Sequence, residues 1–408
     1  LKPFWLKHRL PTTSIVPCHL ARMVAAASSG RKQKSGVKIV GSPLKTSSRQ
    51  QKGLANAKLH GSTKGALSQR ELEAEILKLC AKGRDKLDKQ MAPDVKIVPV
   101  KPGSTCCEDF PMAWRRREGG KRTERGTAEW YVPKGADPKK RMLFFHGGSY
   151  TVWAPKDAPY RSLCSRLAAV CRLCVLSVDY RMAPEHLFPA AFEDSAAALR
   201  WIAGHGPDSA MEPSPATDIF VCGDSAGGGL ALAVCMAPPR SVRPMLRGAV
   251  GLSPWIDMTA STPSYETRQW DPERGFGDAV NAGTDRKGGQ EEAEVYLGRG
   301  GVKLHGKDWR VSPFLALASK LRNMPPVLLH VGDYELILDE SVLLHHKMVK
   351  AGHQDTTVCV YPRMWHCFHE YAEGSGLGQT LAVAVRAFQD IGFHRHHNGG
   401  RRNRGLDR

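Results

Sequence analysis

The sequence lacks any run of about 18 uncharged apolar residues, the length that a membrane-spanning helix needs. Even the apolar stretch LAAVCRLCVLSV at 167–178 carries Arg172 near its centre. The N-terminal region also lacks the clean apolar core of a secretory signal. We therefore expect an intracellular protein without an integral membrane segment.

Acidic residues are absent from the first 70 positions, which hold 14 Lys and Arg. The tail 395–408 adds five Arg and one Asp. Subtracting +14 and +4 from the formal net charge of +19 leaves about +1 for residues 71–394. Because this central part is nearly neutral, the basic charge does not indicate a folded face that binds nucleic acid.

The two basic ends are predicted to be extensions of one folded domain, residues 66–394. Residues 1–65 are rich in Ser, Lys, Arg and Gly, a composition typical of disorder. Arg and Ser without acidic residues also resemble an organelle transit peptide. Composition is compatible with both a flexible extension and a transit peptide. The expected compartment is accordingly the cytoplasm or, with a transit peptide, a plastid or a mitochondrion.

A disulfide framework is also absent, since the 11 cysteines are odd in number and irregular in spacing. Several lie in apolar runs, as Cys174 and Cys222 do, which is typical of buried free thiols in a reducing compartment. The segment CRLC at 171–174 matches C-x-x-C, but a metal site would need a second pair or histidines at ligand spacing. We predict no metal and no cofactor.

From residue 128 onward, apolar strands alternate with helices. Strands are predicted at 128–133, 141–148, 173–180, 217–224, 247–254, 325–332 and 356–362. Helices are predicted at 68–90, 158–171, 191–205, 226–237, 338–352 and near 377–391. This alternation predicts an α/β fold whose mostly parallel sheet is covered on both faces. The polar, glycine-rich segment 271–310 is predicted to be a loop insertion.

Two glycine-rich turns follow predicted strands. GDSAG at 223–227 matches G-x-S-x-G between a strand and an Ala/Gly-rich helix, the context of a nucleophile elbow. Such a turn would present the hydroxyl of Ser225 at a helix N-terminus, which favours developing negative charge. The turn FHGGSY at 145–150 would aim the amides of Gly147 and Gly148 at an oxyanion, with Ala226 as a third donor.

A nucleophilic serine needs a base, and the base needs a group that orients it. His366 follows the last predicted strand and is the predicted base. Asp333 and Glu335 follow the strand at 325–332, and spacing alone leaves both open as the acid. Tyr150 and Trp153 are predicted to line the substrate pocket, with core packing as the alternative.

Several motifs, in order, resemble the hormone-sensitive-lipase-like α/β hydrolases, an esterase family with an HGG loop and a GDSAGG elbow. The matching segments are FHGGSY, SVDYRMAPEHLFPAAFED, GDSAGGGLALAV, LSPWIDMT, VSPF and VYPRMWH. The resemblance implies the α/β-hydrolase fold, a mostly parallel central sheet flanked by helices, with a helical cap built partly from N-terminal residues such as the helix predicted at 68–90. Laid on GDYELILDE, the family's acid segment places the catalytic carboxylate at Glu335, with Asp333 as the alternative acid. Ser149 stands where many members carry a third glycine.

The resemblance implies a serine hydrolase that cleaves carboxylic esters of small to medium acyl chains. Its substrate would be a small-molecule ester, cleaved through Ser225, His366 and Glu335 and an acyl-enzyme intermediate. An amide hydrolase of the arylformamidase or arylacetamide deacetylase type remains an alternative, because the same triad serves both reactions. The other alternative is a non-catalytic small-molecule receptor with the same fold, like the plant gibberellin receptors.

Overall fold

One large β-sheet forms the centre of the protein. The computed structural model describes residues 36–39, 91–100, 114–118, 121–125, 128–207, 214–271, 273, 276–278, 280–353, 355–362 and 364–370. The strands are β1 (Gly36–Ile39), β2 (Val95–Val100), β3 (Trp114–Glu118), β4 (Lys121–Arg125), β5 (Ala128–Pro133), β6 (Lys140–Phe145), β7 (Cys174–Val178), β8 (Asp218–Asp224), β9 (Leu246–Leu252), β10 (Val327–Gly332) and β11 (Thr356–Tyr361). Within these residues, nine strands form one sheet in the order β1-β11-β10-β9-β8-β6-β7-β5-β2.

Most neighbouring strands of this sheet are parallel. Strand β5 runs antiparallel to both β2 and β7, whereas the pairs from β7 across to β1 are parallel. Strands β3 and β4 pair with each other as an antiparallel hairpin. Because parallel strands end at the same edge of a sheet, the loops after β6, β8, β9, β10 and β11 come together there.

Helices cover both faces of the sheet. They are α1 (Ala158–Cys171), α2 (Ala190–Gly204), α3 (Ser225–Met236), α4 (Ser264–Thr267), α5 (Arg286–Leu297), α6 (Gly301–His305), α7 (Ala318–Arg322) and α8 (Leu338–Lys350). Short 3-10 turns lie at Arg243–Met245 and Pro313–Leu315. Among the described residues, no helix has both the length and the hydropathy needed to cross a bilayer.

Buried side chains alternate between the two faces along β6. Leu143 packs in the larger apolar cluster together with Leu199 of α2. The next residue, Phe144, packs in the second cluster together with Leu163 of α1. Successive side chains of a strand point to opposite faces, so both faces of the sheet need a helical cover. The predicted α/β fold is therefore confirmed.

The segment 271–310 differs from the predicted loop insertion, because α5 and α6 lie within it. The side chain of Asp285 caps α5 by accepting a hydrogen bond from the amide of Gly288 at 2.8 Å. Two glycines in its first turn lower the helix propensity of this segment, so the sequence pattern does not predict the helix. Gly289 is needed there, since a Cβ atom would lie 2.7 Å from Cε1 of Tyr265.

The predicted helices at 68–90 and 377–391 and the tail 395–408 lie outside the described residues. So does the predicted extension 1–65, apart from Gly36–Ile39. Those four residues form β1, with Gly36 opposite Thr357 of β11, and so differ from the disorder predicted for them. The β-branched residues Val37 and Ile39 favour a strand at this edge of the sheet.

The end of β6 and the first turn of α3 touch at Gly227. A Cβ atom on Gly227 would overlap the carbonyl oxygens of Phe145 and His146. Because both atoms belong to the backbone, neither can move aside by a rotamer change. Glycine at this position therefore sets the distance between the two turns that follow β6 and β8.

We expect Gly227→Ala to lower the free energy of unfolding by at least about 2 kcal/mol, because the new methyl group overpacks against backbone. Urea unfolding followed by circular dichroism measures the change. Gly204→Ala is the matched control, since nothing lies within 4 Å of a Cβ atom at the end of α2. Equal stability of the two variants would contradict the close contact.

Candidate active site

Ser225 lies at the sharp turn between β8 and α3. Its φ angle of 48° is in the left-handed region, which a non-glycine residue adopts only at a cost. This strained strand-turn-helix geometry is the one that a nucleophile elbow requires. The side chain is held at the edge of the sheet where the other loops meet.

A chain of hydrogen bonds joins Ser225, His366 and Glu335. The Oγ atom of Ser225 lies 2.9 Å from Nε2 of His366, and Nδ1 of His366 lies 3.1 Å from Oε2 of Glu335. The three residues follow β8, β11 and β10, respectively, so the parallel sheet brings them to one place. A serine, a histidine and a carboxylate are thus in contact, which is the arrangement that a catalytic triad requires.

Glu335 is held by groups other than His366. Its Oε1 atom accepts hydrogen bonds from Oγ of Ser253 at 2.7 Å and from the amide of Gly332 at 2.5 Å. Ser253 also accepts a hydrogen bond from the amide of Cys367 at 3.2 Å. Of the two carboxylates that spacing left open, the structure brings Glu335 to the histidine. At Asp333, the backbone carbonyl oxygen accepts a hydrogen bond from Nε of Arg268.

The carboxylates around His366 change its proton affinity. Burial lowers the pKa of His366, but the hydrogen bond to Glu335 and the charges of Glu335 and Asp278 raise it more, so the pKa lies above the ordinary 6.5. Asp278 lies close because one of its oxygens accepts a hydrogen bond from the amide of His366 at 3.3 Å. The imidazolium form of His366 is therefore stabilised.

The glycine turn after β6 differs from the prediction at its first glycine. The amide of Gly147 donates to Oδ1 of Asp224 at 3.0 Å and lies 3.1 Å from the hydroxyl oxygen of Tyr160, so it does not point at an oxyanion. Within the described chain, the amides of Gly148 and Ser149 donate no hydrogen bond. Gly148 has a φ of 100° and Ser149 a φ of 51°, so the backbone turns sharply at both positions.

Asp224 joins the two turns from a buried position. Burial raises the pKa of Asp224 to about 6, in opposition to hydrogen bonds from its neighbours. Donor atoms of Asp224, Cys367, His369 and Glu370 lie within 4.8 Å of one another, and these residue types can bind a metal. The oxygens of Asp224, however, already accept hydrogen bonds from Gly147 and Tyr160, which supports a structural role.

A cavity of about 40 Å³ opens beside Ser225 and His366, with Leu336 and Ile337 in its wall. Tyr150 and Trp153, which the sequence offered as pocket residues, are not among the described residues that line it. Tyr150 is buried and stacks on Tyr296 with ring centroids 3.8 Å apart. This packing agrees with the alternative left open for Tyr150, a place in the core.

Sequence reasoning missed three residues that shape this site. Ser253 lies in the segment LSPWIDMT, which was recognised as a family landmark without a role for its serine. Asp278 and Glu292 lie in the segment predicted as a loop, where no local pattern marks them. Their positions depend on how α5 and the loop before it pack against the sheet.

The family comparison agrees with this geometry. The model of the α/β hydrolase fold family matches residues 142–370, which is more than half of the chain. A crystal structure of an esterase from the bacterial hormone-sensitive lipase family is 25% identical, with a TM-score of 0.58, and the match covers 84% of this chain and 96% of that one.

The chain matches two curated relatives over different shares of their length. An acetyl-hydrolase of Streptomyces hygroscopicus is 33% identical over 64% of this chain and 79% of its own length. The gibberellin receptor GID1B of Arabidopsis thaliana is 39% identical over 22% of this chain and 25% of its own length. The chain belongs to the α/β-hydrolase fold family, in its hormone-sensitive-lipase-like group of carboxylic ester hydrolases.

Proposed function

We propose that this chain cleaves small-molecule carboxylic esters with Ser225 as nucleophile, His366 as general base and Glu335 as the orienting acid. The continuous hydrogen-bonded chain through these three residues is the observation that carries the proposal. It lies beside a cavity of about 40 Å³. The acetyl-hydrolase and esterase relatives favour the same reaction class.

The first half of the reaction forms an acyl-enzyme. Nε2 of His366 takes the proton of Ser225 while Oγ attacks the ester carbonyl carbon, and the carbonyl oxygen becomes an oxyanion. Glu335 stabilises the imidazolium through Nδ1. The imidazolium then donates its proton to the leaving alcohol as the bond between the carbonyl carbon and the alcohol oxygen breaks. In the second half, water attacks the acyl group by the same proton transfers.

The oxyanion needs preorganised donors. We propose the amides of Gly148 and Ala226 for this role, with Ser149 as a further donor in place of Gly147. Ala226 is the second residue of α3, where an amide has no acceptor within the helix. The bond from Gly147 to Asp224 then fixes the turn that presents Gly148 and Ser149.

The receptor alternative receives less support from this site. A receptor that only binds its ligand needs no proton acceptor next to this serine. In this chain, His366 forms a hydrogen bond with Ser225. Amide cleavage would use the same groups, and no contact of the described residues favours it over ester cleavage. We therefore retain ester hydrolysis as the proposal.

We expect the purified chain to hydrolyse p-nitrophenyl acetate, and Ser225→Ala to lower kcat by at least about 1,000-fold, because the nucleophile is lost. Release of p-nitrophenolate measures the rate. Thermal unfolding is the control, since removing the hydroxyl should leave the fold intact. A folded Ser225→Ala variant with undiminished turnover would refute the assignment of the nucleophile.

We expect kcat/KM to rise with pH through a midpoint above 6.5, because His366 must lose its proton to act as base and its pKa is raised. Glu335→Gln should move this midpoint to lower pH, since the carboxylate that raises the pKa is gone, and should lower kcat by at least about 100-fold. Initial rates from about pH 5 to 9 test both effects. A midpoint that is unchanged in Glu335→Gln would exclude Glu335 as the partner of His366.

A further inference from the structure

The cavity beside Ser225 is small and polar. Its volume of about 40 Å³ gives room for about three water molecules. The wall presents hydroxyl, amide, carboxylate and aromatic groups, from Ser149, Thr284, Asn281, Glu292, Trp255 and Tyr265. A cavity of this size and polarity suits a short arm of an ester that carries a polar or charged group.

Glu292 supplies the negative charge of this wall. It lies on α5 and accepts a hydrogen bond from the hydroxyl of Ser149. Ser149 belongs to the turn after β6, so the carboxylate is fixed relative to the proposed oxyanion donors. Because Ser149 replaces a glycine common in the family, this link is a feature of the present chain.

Within the described residues, no Lys or Arg forms an ion pair with Glu292, and none of the described residues that line the cavity is Lys or Arg. The two cations in the first turn of α5 have other partners, since Arg286 pairs with Glu266 at 2.9 Å and Lys287 pairs with Glu291 at 3.1 Å. A carboxylate held in a half-buried cavity without a Lys or Arg partner favours a positively charged ligand.

Two further observations favour a cation. Trp255 and Tyr265 lie in the same wall, and aromatic rings attract ammonium groups. Asn281 lies in the wall as well, and its amide donates a hydrogen bond to a second carboxylate, Asp278, at 2.8 Å. The cavity thus combines one carboxylate in its wall, a second one bonded to a wall residue, and two aromatic side chains.

We propose that this cavity selects esters whose short arm carries an ammonium group, and that Glu292 determines the preference. The inference rests on the ester hydrolase function proposed above and names its substrate class. Glu292 acts by binding and does not take part in bond cleavage. The ammonium group can belong to the alcohol arm or to the acyl arm, and the experiment distinguishes these two sources.

Two pairs of isosteric esters test the proposal. For the alcohol arm, acetylcholine is compared with 3,3-dimethylbutyl acetate, in which carbon replaces the ammonium nitrogen. For the acyl arm, the ethyl ester of glycine betaine is compared with ethyl 3,3-dimethylbutanoate, in which carbon replaces the ammonium nitrogen. We expect the cationic member of one pair to be cleaved with a kcat/KM at least about fivefold higher than that of its neutral partner.

The charge of Glu292 should account for this ratio. In Glu292→Gln, the cationic-to-neutral ratio should fall toward one, because the amide keeps an acceptor for Ser149 but loses the charge. Glu291→Gln is the matched control, since it removes the same charge from the adjacent, exposed position on α5. Its ratio should equal that of the unmodified protein.

The outcomes separate this inference from the proposed function. No hydrolysis of p-nitrophenyl acetate would overturn both. Hydrolysis of p-nitrophenyl acetate together with equal rates within each isosteric pair, faster cleavage of the neutral members, or cleavage of neither pair would overturn the ammonium preference alone. A cationic preference that persists in Glu292→Gln, or falls equally in Glu291→Gln, would overturn the role of Glu292.

Discussion

The hydrogen bond between the amide of Gly147 and Oδ1 of Asp224 joins the two turns on which the site depends. One turn follows β6 and carries the proposed oxyanion donors, and the other follows β8 and carries Ser225. Gly227 lets the backbones of these turns touch, and the bond from Gly147 fixes their relative orientation. A donor on one turn and a nucleophile on the other can then address the same carbonyl group.

The arrangement places Asp224 in an unfavourable environment. The pKa of this carboxyl is raised because burial disfavours its charged form. Since the folded state holds the proton more tightly than the unfolded chain, Asp224 contributes less to stability as the pH rises through about 6. The backbone strain at Ser225 is a second local cost. Both costs lie at the junction of the two turns, where structures commonly trade stability for function.

Much of this site could be predicted from the sequence because its elements are local. Strand β8, the GDSAG turn and helix α3 are contiguous, so Ser225 could be identified from pattern and context. His366 could be identified because it follows the last strand. Glu335 required the family resemblance, since Asp333 has an equivalent position after β10 and only packing brings one of the two carboxylates to the histidine.

The features that could not be predicted depend on long-range packing. Gly147 was expected to face the oxyanion, but sequence does not show where each amide of a glycine turn points, and the carboxylate that binds it is 77 residues away. Helix α5 was missed because Gly288 and Gly289 weaken its pattern, although Gly289 is required by contact with Tyr265. The contact of Glu292 with Ser149 spans 143 residues and has no local signal.

Active-site labelling tests directly whether His366 activates Ser225. The intact protein is treated with a fluorophosphonate, digested and mapped by mass spectrometry, alongside a folded His366→Ala variant. We expect one phosphonylated peptide, the one that contains Ser225, and its loss in the variant. Folded protein that stays unlabelled, or that carries the label on another serine while Ser225 stays free, would show that Ser225 is not the activated nucleophile.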